Sequence, residues 1–339
     1  MISFPELNFA DFAAEDRFAR HKIWLHAVIE TSQSWFTQGG SLQDWIDAFQ
    51  IQREQLLRLG WTAYVPEDIR KHVHYIRFGS AARGEDLLGS DLDYALITDG
   101  EIETDEATRY LEQFIQGMHG LGFQPCQGFV MGTNPRWIGT EEAWKKRIDQ
   151  YFSFPNWQHA RYLFIMADSR PLYQETTVWA NIAENVCAGI RKSSFICWEM
   201  AHLGIHKSVA IDLRGQVKTK TVHGHQYFDV KAGLLNPIVH SVRLLALREG
   251  VHALPTQDRL HALQSMCVLS EELASNIRSA LHFGWRLRLF QHLEDLAKEQ
   301  PPQDLVCWNT LSEPYRQEAN LHVQTAKRLE RLVHRTFRK

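Results

Sequence analysis

The sequence predicts an α+β chain: an N-terminal helical arm over 1–70, a small α/β domain over 71–175 and an all-helical domain over 176–339. Three observations carry this. Apolar residues recur with a period near 3.6 before residue 62, short strand-like segments alternate with helices between 73 and 171, and almost only helical periodicity follows Glu175. In the arm, Phe18, Ile23, Trp24, Ala27, Val28, Thr31 and Trp35 form one stripe. Gly39-Gly40 breaks it, and Ser41 is placed to cap a second helix from Leu42.

The α/β segment opens with a strand over 73–79, where His74, Ile76 and Phe78 alternate with Val73, Tyr75 and Arg77. Leu92 to Thr98 reads as a second strand. Asp105 to Gly120 reads as a helix with Tyr110, Leu111, Phe114, Ile115 and Met118 on one face. Gly122 to Met131 is a third apolar, strand-like run. Thr140 is placed to cap a helix from Glu141 to about Phe152, whose two acids in the first turn suit the helix dipole. Tyr162 to Ala167 reads as a fourth strand. Helical patterns then cover Leu235 to Leu247, Gln257 to Leu289 and Glu318 to Phe337, with Pro301-Pro302 and Pro314 as punctuation.

The chain has 339 residues, 44% hydrophobic and 23% charged, with net charge −3, which is ordinary globular composition and excludes disordered and collagen-like classes. No run approaches the roughly 18 apolar residues of a transmembrane helix, and no secretory signal opens the chain. A sequence pI near 6.6 offers no basic field for long nucleic acid. The charge is uneven, however. Residues 1–175 carry 16 basic and 25 acidic side chains, whereas residues 176–339 carry 21 and 15. Cys126, Cys187, Cys197, Cys267 and Cys307 are odd in number and widely spaced, which reads as reduced thiols in a cytoplasmic protein.

The chemistry concentrates in G-S-x-x-R-x-E-x-x-x-x-S-D-x-D, from Gly79 to Asp93. On a strand, Asp91 and Asp93 point to one face, about 7 Å apart. Such a pair repels unless a cation sits between the carboxylates, and hard oxygens at this spacing suit Mg²⁺, which draws its other ligands from water and phosphates. Gly79 and Ser80, eleven residues before the Asp pair, let a phosphate approach backbone N–H groups and a hydroxyl. Arg83 adds charge for phosphate. An isolated D-x-D is usually a solvated strand end; the combined pattern is far more specific.

That stretch resembles the active-site signature of the polymerase-β-like nucleotidyltransferase superfamily, and within it the protein-PII uridylyltransferase-like branch with a helical substrate-binding domain. The resemblance continues through Gly122 to Met131, Asn134-Pro135-Arg136-Trp137, Trp144, Asp168-Ser169-Arg170-Pro171-Leu172, Asp229-Val230-Lys231, Leu235-Asn236-Pro237-Ile238, and Arg286-Leu287-Arg288 with Gln291-His292. It implies a polymerase-β-type fold for the α/β domain. It also implies Asp91 and Asp93 as catalytic ligands of Mg²⁺ or Mn²⁺, with Gly79, Ser80, Arg83 and Ser90 around a nucleoside triphosphate. Arg83, Glu85 and Ser90 are equally placed to shape the loop itself. The implied acceptor is a hydroxyl, such as a tyrosine on a PII-like signalling protein. Cys126 falls where the family has a third acid, and a neutral thiol is a poor Mg²⁺ ligand. Asp168 can substitute for that acid or form a structural bridge to Arg170.

Two other readings stay open: a catalytically weakened nucleotide sensor, motivated by Cys126, and an adenylyltransferase acting on a small molecule. Lys231 is assigned either to phosphate or an acidic partner, or to a solvated basic loop with Lys218 and Lys220. Trp137 and Trp144 can stack on a base or fill the core. His202 and His206 have metal spacing but lack a completing Glu. Thr325 to Lys339 is a basic helix that packs on the bundle and exposes its charge.

Overall fold

The computed structural model describes residues 2–102, 104–126, 128–173, 177–203 and 209–338. The chain divides into two compact units. The first comprises 1–150, 165–184 and 296–301; the second comprises 151–164, 185–295 and 302–339.

In the first unit, α1 (Phe9–Ala13), α2 (Arg17–Thr37) and α3 (Leu42–Tyr64) form the arm. The Ser41 hydroxyl accepts from the Asp44 N–H, as the sequence predicts for an N-cap. Trp45, Phe49, Leu56, Leu57 and Trp61 of α3 are buried, and α3 packs against α1 and α6 (Thr104–Gly120). A short helix, α4 (Glu67–Arg70), leads into β1 (Val73–Phe78). The central sheet has the order β5-β3-β1-β6, with β3 (Tyr94–Thr98), β5 (Ile138–Thr140) and β6 (Ser169–Pro171). β1 runs antiparallel to β3 and β6, and β3 runs parallel to β5. Tyr75 and Tyr94 stack across β1 and β3, with ring centroids 4.7 Å apart. The Thr140 hydroxyl accepts from the Ala143 N–H and starts α7 (Glu141–Ser153).

Three expectations change. The second strand is split: Asp91–Leu92 form β2, Tyr94 begins β3, and Asp93 lies between. Among the described residues of the run from Gly122 to Met131, only Gln124–Pro125 is strand (β4), parallel to β2. Pro125 removes a ladder donor, and the chain then turns at Phe129, whose φ is 53° and whose N–H donates to the Cys126 carbonyl. The run from Tyr162 to Ala167 is not a strand but the end of α8 (Trp157–Met166). Its apolar block has no resolving period; the deciding signal is Asn156, whose side chain accepts from the N–H groups of Gln158 and His159.

The second unit is helical as predicted. α9 (Thr177–Lys192) ends in it, followed by α10 (Ser194–Leu203), α11 (Asn236–Arg248), α12 (Thr256–Ser265), most of α13 (Glu271–Ala297) and α14 (Glu313–Thr336). α11 packs on α12 and α14, burying Ile238, Val242, Leu245, Leu260, Ala326, Leu329 and Val333. The unit also contains an antiparallel sheet the sequence did not announce: β7 (Lys220–Val222), β8 (His225–Asp229) and β9 (Leu305–Cys307). Its strands are three to five residues long, and β7 is exposed throughout, so no alternation of burial marks it. Among the described residues, no helix is long and apolar enough to cross a membrane.

Candidate active site

The site forms where β1 ends. Gly79 adopts φ of 59°, a left-handed conformation that favours glycine. It opens α5 (Gly79–Arg83), and a Cβ built there would lie 3.0 Å from Asp93 Oδ2. The missing side chain therefore brings this turn directly onto the Asp93 carboxylate. The Phe78 N–H donates to the Asp93 carbonyl at 2.8 Å, and the Gly79 N–H to the Asp168 carbonyl at 3.1 Å. Gly79, Ser80, Asp91 and Asp93 are all half-buried, and the structure brings Gly79, at the end of β1, onto Asp93, which lies between β2 and β3.

The rest of the motif turns inward. Arg83 is buried; its Nε donates to Glu85 Oε2 and its Nη1 to Asp168 Oδ2, both at 2.7 Å. Burial opposes the charge on Arg83, but the two carboxylates outweigh it and hold the guanidinium above its ordinary value. Arg83 thus braces the loop rather than meeting phosphate. Asp168, fully buried, is bridged by Arg83 and not by Arg170. With its carboxylate committed to Arg83, it is poorly suited to act as a third metal ligand. Ser90 is also buried, its hydroxyl accepting from the Leu87 N–H at 2.9 Å and its carbonyl from the Gln124 N–H at 3.1 Å. Its role is to shape the loop and to join it to β4.

β2 pairs Asp91 with Gln124 and Leu92 with Pro125, so Cys126 follows in the register opposite Asp93. The Asp93 carboxylate acts on the Cys126 thiol through its charge and through hydrogen bonding, both of which favour the protonated thiol. Burial, with the Asp93 charge and that hydrogen bond, pushes the thiol up to about 12, so it is protonated at neutral pH.

Beneath the site lies a residue that the motif did not reveal. Arg53 of α3 is buried, ion-pairs with the buried Asp86, and lies over the Phe123 ring, 5.1 Å from its centroid. Burial pushes its guanidinium down to about 9, while the charge of Asp93 acts in the opposite direction. Its signal was present: Arg53 sits on the apolar stripe of α3 with Phe49, Leu56 and Leu57, where a charge needs a buried partner.

Trp137 and Trp144 are core residues, packed with Phe78 and Trp179, and the Trp144 indole donates to the Leu96 carbonyl. Neither offers a face for a base. In the second unit, Lys231 lies 3.5 Å from Asp304 Oδ2, and Lys220 lies 2.7 Å from Asp229. Lys231 thus belongs to a charge cluster with Asp304, Arg288 and His292 rather than to a free basic loop. His202 bonds the Trp198 carbonyl through Nδ1; His206 and Gln127 lie outside the described residues.

Two family models match the chain: "Putative nucleotidyltransferase DUF294" over residues 27–158, and "Putative nucleotidyltransferase substrate binding domain" over residues 196–337. The chain belongs to this nucleotidyltransferase family. No curated protein matches it. The first match contains Gly79, Asp91, Asp93 and Cys126 but ends before Asp168. Nucleotidyltransferases generally use divalent metals. Among the described residues, no group of three or more His, Cys, Asp or Glu is arranged to hold one. Two hard carboxylates beside a turn with no side chain nevertheless fit a divalent cation that takes its other ligands from water and phosphate. The protonated thiol of Cys126 does not fit such an ion.

Proposed function

We propose that the chain transfers a nucleotidyl group from a nucleoside triphosphate to an acceptor hydroxyl at Asp91 and Asp93, with residues 71–175 as catalytic domain, 176–339 as acceptor-binding domain and 1–70 as helical arm. The observation that carries this reading is the seating of the left-handed Gly79 turn on Asp93. The bound ion is Mg²⁺ or Mn²⁺, held by Asp91 and Asp93, and it supplies charge neutralisation at the phosphates. Gly79 and Ser80 receive the triphosphate, because a turn without a side chain lets phosphate oxygens approach the backbone beside the Ser80 hydroxyl, the Gly79 N–H itself being given to the Asp168 carbonyl. Arg83, clamped by Glu85 and Asp168, fixes the turn that carries them. Cys126 orients Asp93 without adding charge. The acceptor proposed is a tyrosine hydroxyl on a PII-like signalling protein, and the resemblance to the uridylyltransferase branch suggests uridylyl as the group transferred.

Cys126 also favours a second reading. With two carboxylates instead of three, the chain binds nucleotide and turns it over weakly, as a sensor. The test is incubation with each labelled triphosphate, Mg²⁺ or Mn²⁺ and candidate acceptors, following pyrophosphate release and the acceptor's mass shift. Transfer that survives Asp91→Ala with Asp93→Ala overturns the site. Triphosphate binding without turnover on any acceptor, a small hydroxyl compound included, selects the sensor.

A further inference from the structure

The basic end of α14 is not used by the chemistry above. Arg328, Arg331, Arg335 and Arg338 follow at intervals of three and four residues, so they share one helical face. With His334 they line a cleft of about 510 Å³. All four arginines are exposed. Arg328 reaches Glu272 at 3.1 Å, whereas Arg331, Arg335 and Arg338 have no ion pair among the described residues. The one acid nearby on this helix, Glu330, is buried and bonded to Lys327. The His334 ring stacks parallel on His202, with centroids 5.4 Å apart, which fixes one wall.

Compensation of the helix dipole does not account for this cluster. That effect is confined to the last turn, and α14 ends at Thr336, so Arg328 and Arg331 lie before that turn and Arg338 lies beyond it. Repulsion among Arg331, Arg335 and Arg338, which have no ion pair among the described residues, disfavours their gathering unless an anion is bound. The lining cations are all arginines, whose planar forks match phosphate oxygens two at a time. The cleft falls within the size range of small-molecule sites, roughly 300–1,000 Å³.

We infer that this cleft is a second ligand site, taking a small molecule with clustered phosphates: a free polyphosphate or the phosphate chain of a nucleotide. It is independent of transfer at Asp91 and Asp93. The test is calorimetric titration of the full chain with inorganic tripolyphosphate and with adenosine triphosphate at low ionic strength, alongside Arg331→Ser/Arg335→Ser and Asp91→Asn/Asp93→Asn. The expected result is tripolyphosphate binding that weakens with added salt, falls at least tenfold in the arginine variant and persists in the aspartate variant. Equal affinity for the two ligands identifies the phosphates alone as the determinant; tighter binding of adenosine triphosphate in the aspartate variant identifies a nucleotide as the source. Three results overturn the inference: unchanged affinity in the arginine variant, binding lost only in the aspartate variant, or tighter binding of a polyglutamate peptide or single-stranded RNA than of tripolyphosphate. Thermal unfolding of the arginine variant at the parent temperature establishes that loss of binding is not loss of fold.

Discussion

Within fifteen residues, one motif supplies two clusters of charge with different fates. Asp91 and Asp93 stay half-buried beside the Gly79 turn, whereas Arg83, Glu85 and Asp86 are buried, two of them bridged to partners from distant segments. The difference is one of desolvation. A buried charge must be matched by an opposite charge, and Arg83 is matched by Glu85 and Asp168, as Asp86 is by Arg53. The outer pair is arranged differently: two like charges lie half-buried near the neutral thiol of Cys126, a combination of hard oxygens that suits a cation. The inner cluster is scaffold, and the outer one is the pair proposed for the chemistry.

The largest effect expected separates the two clusters by activity. Asp91→Asn with Asp93→Asn lowers nucleotidyl transfer by about 10³-fold or more, since charge stabilisation at the phosphates is worth several kcal/mol, and leaves the unfolding curve nearly unchanged. Pyrophosphate release and urea denaturation, run on the same preparation, check both halves. Arg83→Met does the reverse at the level of stability. It strands Glu85 and Asp168 without their cation and costs about 3–5 kcal/mol, read as a shift in the urea midpoint. If Arg83→Met leaves stability intact, the inner cluster is not scaffold.

Cys126→Asp adds a third carboxylate opposite Asp93. Metal-dependent turnover is expected to rise about tenfold, which is about 1.4 kcal/mol of barrier. A fall in turnover means that the thiol's hydrogen bond to Asp93 matters more than the missing charge. Gly79→Ala forces a left-handed backbone onto a residue with a Cβ, at about 1–2 kcal/mol, and sets that Cβ 3.0 Å from Asp93 Oδ2. The expected outcome is a modest loss of stability with a larger loss of transfer, compared by thermal melting and initial rates.

The smallest effect lies in the second unit. Burial alone raises the Asp304 carboxyl, but the His292 hydrogen bond and the charges of Arg288 and Lys231 outweigh it and hold it well below the ordinary carboxylate value. A lowered folded pKa means stability that is present above the unfolded value of about 3.9 and is lost as pH falls through the folded one. Asp304→Asn is therefore expected to weaken the unit at pH 7 and to flatten the acid limb of its stability curve, followed by circular dichroism in urea from pH 7 downward.

The sequence by itself determined the helices of the arm, the first strand of the α/β segment and the motif. The 3.6-residue stripes, the caps at Ser41 and Thr140 and the Gly79–Asp93 spacing are local properties, set by backbone geometry and near-neighbour bonds. The resemblance to the nucleotidyltransferase signature implies in addition that Cys126 stands at the third-acid position. What the sequence did not determine depends on long-range placement. The apolar block at 162–167 is silent about its period, and the short strands β7, β8 and β9 gain their identity only from pairing. Arg83 looks in sequence like any exposed arginine, and the apolar stripe of α3 marks Arg53 as buried without naming its partner; only the fold brings Asp168, 85 residues away, and Asp86 against them. A motif states which groups are available. Burial, which is a property of the whole packed chain, decides which of them are neutralised as scaffold and which are left to meet a ligand.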